Sequence, residues 1–265
     1  MGTVTASGDG TDVYTFGDDE AAARRLDLLA AVYEPATRSM LARWAPPVVR
    51  HAVDLGCGPG HTTRLVHAVT DAGRSTGVER SPRYLAMARA TPVEGIGYVE
   101  ADVNRSPLPV DAADLVVARF LLSHLASPVK VLRLAAEVVV PGGRILVQEV
   151  ARLVSRDPAL GRYYELVAEL QDRHGQALEV GARLDELAAV AGLTVEHSGR
   201  RVLAPRPREM AALHVLNLRT WRSDPEAAGF DQDELDALDE ALVAIARGGP
   251  AEPVEQEPGE LVLTT

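Results

Sequence analysis

The chain has 265 residues, a formal net charge of -11, 46% hydrophobic residues and a single cysteine. That length is ample for a buried core, and the ordinary apolar and charged fractions exclude wholesale disorder. The acidity disfavours nucleic acid as a partner, the lone Cys57 excludes an internal disulfide or a cysteine-built zinc cluster, and no apolar run is long enough to span a bilayer.

In chain order, Met1 to Asp12 is polar, with no basic start leading into an apolar run, which points to a cytoplasmic protein with a flexible N-terminal arm. From Asp18 to about Trp44, Ala22, Leu26, Leu29, Val32 and Tyr33 recur at helical spacing, followed by Met40 and Leu41. Pro35 is expected to separate two helices there. A regular alternation follows. Strands are expected at 52–55, 75–79, 96–100, 114–118 and 144–149, with helices at 62–70, 82–91 and 129–139 between them. Ser81 is placed to cap the second of these helices, and Pro141-Gly142-Gly143 to turn into the fifth strand. Strands this apolar, alternating with helices, indicate a parallel sheet covered on both faces.

Beyond Glu149 the spacing predicts helices over 158–174, 183–191, 208–221 and 233–247, with strands at 193–197 and 201–203 and a final edge strand at 261–263. The expected fold is α/β: a Rossmann-like, mostly parallel sheet with helices on both faces, an N-terminal helical cap, and a helical insertion after the fifth strand. The expected division is an arm and cap over 1–47, a core over 48–150, and a covering insertion with completion of the sheet over 151–265. An apolar face between Ala212 and Leu218 suits a homodimer.

Val53-Asp54-Leu55-Gly56-Cys57-Gly58-Pro59-Gly60 is a strand running into alternate glycines. Glycine permits positive φ and close backbone approach, so a ligand can lie on main-chain amides at the next helix N-terminus. Glu79 ends the second strand, where an acid can accept both ribose hydroxyls. Asp102 follows the third, where a carboxylate can accept an adenine amine hydrogen. Together the three features define one nucleoside-sized cleft at the carboxyl edge of the sheet. A nicotinamide dehydrogenase would need glycine at position 61, which is His61.

The stretch from Ala52 to Val150, with VDLGCGPG, GVERS, EADV, DLVVARFLLSHLASP and PGGRILVQE, resembles the class I S-adenosylmethionine-dependent methyltransferases. The N-terminal run YTFGDDEAAARRLDLLAAVYEPATRSML resembles the helical cap of bacterial small-molecule members. The resemblance implies S-adenosylmethionine as cofactor and S-adenosylhomocysteine as product. It also implies residue roles. Gly56, Cys57, Gly58 and Gly60 would bed the methionine part, with Asp54 positioning its amino group. Glu79 would hold the ribose, flanked by Arg80 and Ser81. Asp102 and the Val103 amide would meet adenine, and Arg119 and Phe120 would pass beneath the sulfonium. Tyr14 and Arg38 would close over the amino-acid tail from the cap.

Methyl transfer from a sulfonium needs alignment more than a fixed catalytic constellation, and the sequence shows none. His174 and His214 are the candidate general bases, on helices expected to cover the substrate. Glu149, at the end of the fifth strand, is a candidate substrate contact or loop anchor, and Tyr163 and Trp221 are candidate substrate contacts. No spacing argues for a metal. The expected function is methyl transfer to oxygen, nitrogen or carbon of a small organic acceptor of secondary-metabolite type, with no nucleic-acid or membrane partner. The alternatives are a cofactor-assisted cyclisation or elimination without methylation, and a non-enzymatic module using the acidic helix at 233–247.

Overall fold

The structure, a computed structural model, describes residues 20–264, with side chains from residue 24 onward. Tyr14 and the arm therefore lie outside the described residues. Seven strands form one sheet: β1 (His51–Leu55), β2 (Arg74–Glu79), β3 (Ile96–Glu100), β4 (Ala113–Arg119), β5 (Val139–Ser155), β6 (Thr194–Arg200) and β7 (Val254–Thr264). Their order is β3-β2-β1-β4-β5-β7-β6, parallel from β3 to β5 and antiparallel where β7 meets β5 and β6. The helices are α1 (Glu20–Trp44), α2 (His61–Thr70), α3 (Pro82–Arg89), α4 (Pro128–Val138), α5 (Pro158–Arg173), α6 (Leu184–Ala191), α7 (Pro207–Trp221) and α8 (Gln232–Ala246). This is the Rossmann-like, mostly parallel α/β arrangement.

The central strands are apolar because both faces are covered. Every residue of β1 is buried, and alternate residues face opposite cores. Val53 and Leu55 pack with Val131, Leu132 and Ala135 of α4 and Leu184 and Leu187 of α6. Ala52 packs with Leu65 and Val66 of α2 and Met40 and Leu41 of α1. A second apolar core joins α5, α7 and α8, around Tyr163, Leu213, Trp221 and Leu242, and α1 leans on it through Leu28, Leu29 and Val32. Helix α1 therefore spans both cores. Ser81 caps α3 by accepting from the Tyr84 amide at 3.2 Å.

Four local expectations are corrected. Pro35 does not divide α1, which runs unbroken over 25 residues. The missing amide bond costs about 3 kcal/mol, and the burial of Tyr33, Ala36, Met40 and Leu41 on either side of it offsets that cost. Pro141-Gly142-Gly143 is a bulge within β5: Ala113 pairs with Val139 and Leu115 already with Arg144. A Cβ on Gly143 would lie 2.7 Å from the Asp114 carbonyl oxygen, so only glycine fits the bulge. The segment 201–203 is no strand and contributes one bridge, Leu203 to Gln256. The C-terminal strand is interior, and β6 is the edge.

The apolar face of α7 is consumed inside the chain, where Ala211, Leu213, Val215 and Leu218 are buried, so it does not offer the expected dimer surface. The acids of α8 are largely matched within the chain. Glu234 pairs with Arg162, Asp236 with Arg222 and Asp239 with Arg219. That leaves little of the acidic face the interaction-module reading relied on.

Candidate functional site

The carboxyl ends of β1, β2, β3 and β4 open into a cleft of about 490 Å³, within the size range of small-molecule sites. Its floor is the glycine loop, where Gly56, Gly58 and Gly60 all have positive φ (67°, 53° and 83°). The Cys57 amide donates to the Val78 carbonyl at 3.0 Å and the Gly60 amide to the Cys57 carbonyl at 3.0 Å, which fixes the turn. Glu79 braces the same turn. Its Oε2 accepts from the Gly58 amide and its Oε1 from the Arg80 and Ser81 amides, each at 2.9 Å.

Of the residues expected at a cofactor site, Gly56, Cys57, Gly58, Glu79, Arg80, Ser81, Asp102, Val103, Arg119 and Phe120 line this cleft. Three others stand apart from the lining. Asp54 is buried beneath the loop, where its Oδ2 accepts from the Thr63 hydroxyl at 2.7 Å; burial raises its carboxyl to about 7. Gly60 caps α2, and a Cβ there would meet the Tyr98 hydroxyl at 2.5 Å. Arg38 is a correction. It lies on the outward face of α1, paired with Glu34 at 2.8 Å, and does not reach the cleft.

Cys57 is a thiol, pushed up by burial and by the charges of Asp54 and Glu79. Its sulfur occupies the space that a Cβ on Gly77 would need. Arg119 is lowered to about 10 by burial and stays charged at neutral pH. It donates to the Thr37 hydroxyl at 3.3 Å, tying the end of β4 to α1.

Glu149 does not point at a substrate. Buried completely at the end of the parallel part of β5, its Oε1 accepts from the Leu121 amide at 2.7 Å and the Leu122 amide at 2.6 Å. It therefore anchors the loop after β4, in which Phe120 has a φ of 50° and its ring packs edge-on to Tyr33 at 4.6 Å. Both proposed bases are corrections as well. His174 caps the C-terminus of α5 and lies 3.1 Å from Asp224. His214 is buried in the second core, stacked on Tyr163 at 4.1 Å and pushed down to about 3 by burial. Neither lines the cleft, nor do Tyr163 and Trp221, which sit with His214 between α5 and α7.

Sequence reasoning expected a cap over the site but missed the residues that form its roof. Arg25, Leu26 and Leu29 of α1 line the cleft opposite the glycine loop. Their signal was the helical spacing of the segment, whose inward face they continue. Leu121, His124 and Leu125 close the side. His124 is lowered to about 3, by desolvation and then by Arg25 and Arg80. Asp27 of α1 meets His61 at the start of α2 at 2.8 Å, joining roof to floor. Among the described residues no group of three or more His, Cys, Asp or Glu could hold a metal, and no helix is long and apolar enough to cross a membrane.

A nucleoside cofactor fits this lining. The loop leaves no room for a Cβ at Gly56, which would lie 2.7 Å from Leu121 Cδ1, and acids stand at the ends of β1, β2 and β3. Fold and cleft together define a Rossmann-like enzyme that binds an adenosine-bearing cofactor at the carboxyl edge of its sheet. Comparison with known proteins sets the class. Residues 53–147 match the methyltransferase domain family. Trans-aconitate 2-methyltransferase of Escherichia coli O139:H28 is 35% identical over 188 residues, covering 70% of this chain and 74% of that protein. Among solved structures, Haemonchus contortus phosphoethanolamine N-methyltransferase 2 with phosphomonomethylethanolamine and S-adenosylhomocysteine superposes with a TM-score of 0.55. That match has 17% identity and covers 96% of this chain and 60% of the other. The cyclopropane synthase MmaA2 of Mycobacterium tuberculosis gives 0.56 at 15% identity, covering 88% of this chain and 84% of the other. The chain belongs to the class I S-adenosylmethionine-dependent methyltransferases, and S-adenosylmethionine is its cofactor.

Proposed function

We propose that the protein methylates oxygen, nitrogen or carbon of a small organic acceptor of secondary-metabolite type. The observation that carries this reading is the roof. Arg25, Leu26 and Leu29 cover the glycine loop and the Arg119–Leu121 turn, so the site is enclosed on the scale of a small molecule. The relative named above is, by its name, a methyltransferase of a small organic acid, which supports the same scale.

In this reading Gly56, Cys57 and Gly58 bed the methionine portion, with Gly60 shaping the turn and the buried Asp54 carboxylate acting on the amino group from beneath the loop. Glu79 takes the ribose between Arg80 and Ser81, Asp102 and Val103 take adenine, and Arg119 and Phe120 pass beneath the sulfonium. Bound S-adenosylmethionine supplies an activated methyl group, so the chain's task is alignment and exclusion of water. His124, the cleft's imidazole beside the loop after β4, is too weak a base at about 3 to take a proton from an alcohol. That favours an acceptor atom that is acidic by itself.

The reading is tested by incubating the protein with S-adenosylmethionine and a panel of small acceptors. A product heavier by one methyl group, with matching S-adenosylhomocysteine, supports it. An altered acceptor without added methyl points to assisted cyclisation or elimination. The absence of any product contradicts both.

Asp54 makes a pH prediction. A cationic ligand favours the ionised carboxylate, and the free group titrates at about 7. Affinity for S-adenosylmethionine should therefore rise by up to about tenfold per pH unit below that value and level off above it. Asp54→Asn should bind more weakly with a flat profile between about pH 5 and 8. A sloping profile in the variant would assign the titration elsewhere.

A further inference from the structure

Three arginines belong to the cleft lining, Arg25, Arg80 and Arg119, and they serve different ends of it. Arg119 is the last residue of β4, and the parallel register pairs Leu55 with Ala118, so Gly56 and Arg119 follow side by side. The guanidinium belongs to the glycine-loop end, where its charge acts on Asp54 beneath the loop and on His61 at the start of α2. Arg25 and Arg80 instead act together on His124, at the side of the cleft. Arg64, another cation near the loop, is turned to the Pro59 carbonyl and the Tyr98 hydroxyl.

Arg119 is fixed in place yet left without a counter-charge. Its Nη1 donates to the Thr37 hydroxyl at 3.3 Å, which itself donates to Gln148 Oε1 at 2.6 Å. Gln148 lies beside Arg119 in register on β5. The guanidinium carbon is 5.3 Å from the centroid of the Phe120 ring, within the range of a cation over an aromatic face. The neighbouring acids are engaged elsewhere. Asp54 accepts from Thr63, Glu149 from the Leu121 and Leu122 amides, and Glu34 pairs with Arg38. A guanidinium is a fork of N–H donors, so with one hydroxyl partner most of its edge is open to a ligand.

We infer that Arg119 binds the α-carboxylate of the cofactor's methionine tail and makes the cleft selective for the carboxylated form of the ligand. This rests on the reading in which the glycine loop beds the methionine portion. It assigns to β4 a contact expected from the N-terminal cap, whose Arg38 faces away. Charge balance carries the inference. S-adenosylmethionine brings a positive sulfur and a positive amino group to a site that already holds a cation, and like charges repel strongly where water is excluded. The α-carboxylate is the ligand's anionic group, and an arginine edge matches its two oxygens. A ligand without it forfeits the pairing and sets its own cation against Arg119. The two roles of Arg119 use different atoms: the backbone passes beneath the sulfonium, and the side chain meets the tail.

The test is calorimetry on the full chain with three compounds. They are S-adenosylhomocysteine, its decarboxylated analogue that keeps the amino group, and 5′-methylthioadenosine, which lacks both groups. The proteins are the unaltered one, Arg119→Met and Arg119→Lys. The unaltered protein should prefer S-adenosylhomocysteine to the decarboxylated analogue by about a hundredfold. Arg119→Met should weaken S-adenosylhomocysteine by about 10- to 100-fold. It should bind the decarboxylated analogue at least as tightly as the unaltered protein does, and 5′-methylthioadenosine within about threefold, which also shows that the variant is folded. Arg119→Lys keeps the charge but not the planar edge, so its preference for the carboxylate should fall between the two. If Arg119→Met does not fold, Arg119→Lys carries the same comparison. Equal weakening of all three compounds in a folded variant would overturn the inference, because Arg119 would then only shape the cleft. So would a preference for the carboxylate that both variants retain in full. Binding of 5′-methylthioadenosine without any preference for S-adenosylhomocysteine in the unaltered protein would overturn it and leave the adenosine site standing. Binding of none of the three would overturn it together with the cofactor reading beneath it.

Discussion

Glu149→Ala should lower the unfolding free energy by about 3–5 kcal/mol and weaken S-adenosylmethionine binding by about tenfold or more. The carboxylate is wholly buried and accepts from the Leu121 and Leu122 amides. Each amide left without a partner costs about 1–3 kcal/mol, against a total stability of about 5–15 kcal/mol. The loop it holds lies against the glycine loop, so the loss reaches the cofactor. Glu149→Gln keeps an accepting oxygen and should retain most of the stability and binding.

The two variants also separate by pH. Burial raises the Glu149 carboxyl from 4.5 to about 7, outweighing the amides that lower it. A folded pKa above the unfolded one means the favourable contribution is complete below about 4.5 and is lost as pH rises through about 7. The unaltered protein should lose stability across that window, and Glu149→Gln should flatten the share due to this group. Urea unfolding at several pH values would show it. An identical slope in both proteins would remove Glu149 as the cause.

Gly56→Val is the second large effect. Gly56 has a φ of 67°, and a Cβ there would lie 2.7 Å from Leu121 Cδ1. A β-branched residue in that region costs about 1–3 kcal/mol in backbone strain and a similar amount in overpacking. Leu121 cannot yield freely, because Glu149 pins its amide. The expected result is a loss of cofactor affinity of about a hundredfold, corresponding to roughly 3 kcal/mol. Gly142→Ala is the matched comparison. It has a φ of 79° but nothing within 4 Å of its Cβ, so it should cost about 1 kcal/mol of stability and leave binding unchanged. Equal loss of binding in both variants would mean that general destabilisation, not the Leu121 contact, sets the effect.

The floor of the cleft was legible in the sequence because it is written locally. Gly56, Glu79 and Asp102 each follow a strand of the alternating series, and a parallel sheet delivers successive strand ends to one edge. The roof was harder. The face of α1 could be read from Leu26, Leu29, Tyr33, Met40 and Leu41, and that same spacing turns Arg38 outward, but which surface the face covers depends on tertiary packing. Pro35 looked like a break because propensity was weighed without the burial on either side of it.

The C-terminal strand looked like an edge for a related reason. Strand order is a global property, and nothing in Leu261-Val262-Leu263 states that β6 lies beyond it. The histidines misled differently. His174 and His214 were expected to face a substrate, but side-chain direction decided their roles. One caps α5 beside Asp224 and the other packs on Tyr163. Glu149 could be read as a substrate contact or a loop anchor, and its hydrogen bonds to the Leu121 and Leu122 amides decide for the loop.

The central claim is that this cleft binds the methyl donor through the glycine loop and the acid at the end of β2. Calorimetric titration with S-adenosylmethionine and S-adenosylhomocysteine, beside Glu79→Ala, tests it most directly. The variant loses the brace on the Gly58 amide and, in the proposed reading, a ribose acceptor. Binding by the unaltered protein, weakened about 10- to 100-fold in Glu79→Ala, is the predicted result. A folded protein that binds neither compound, or a Glu79→Ala variant that binds both as tightly as the original, would contradict it.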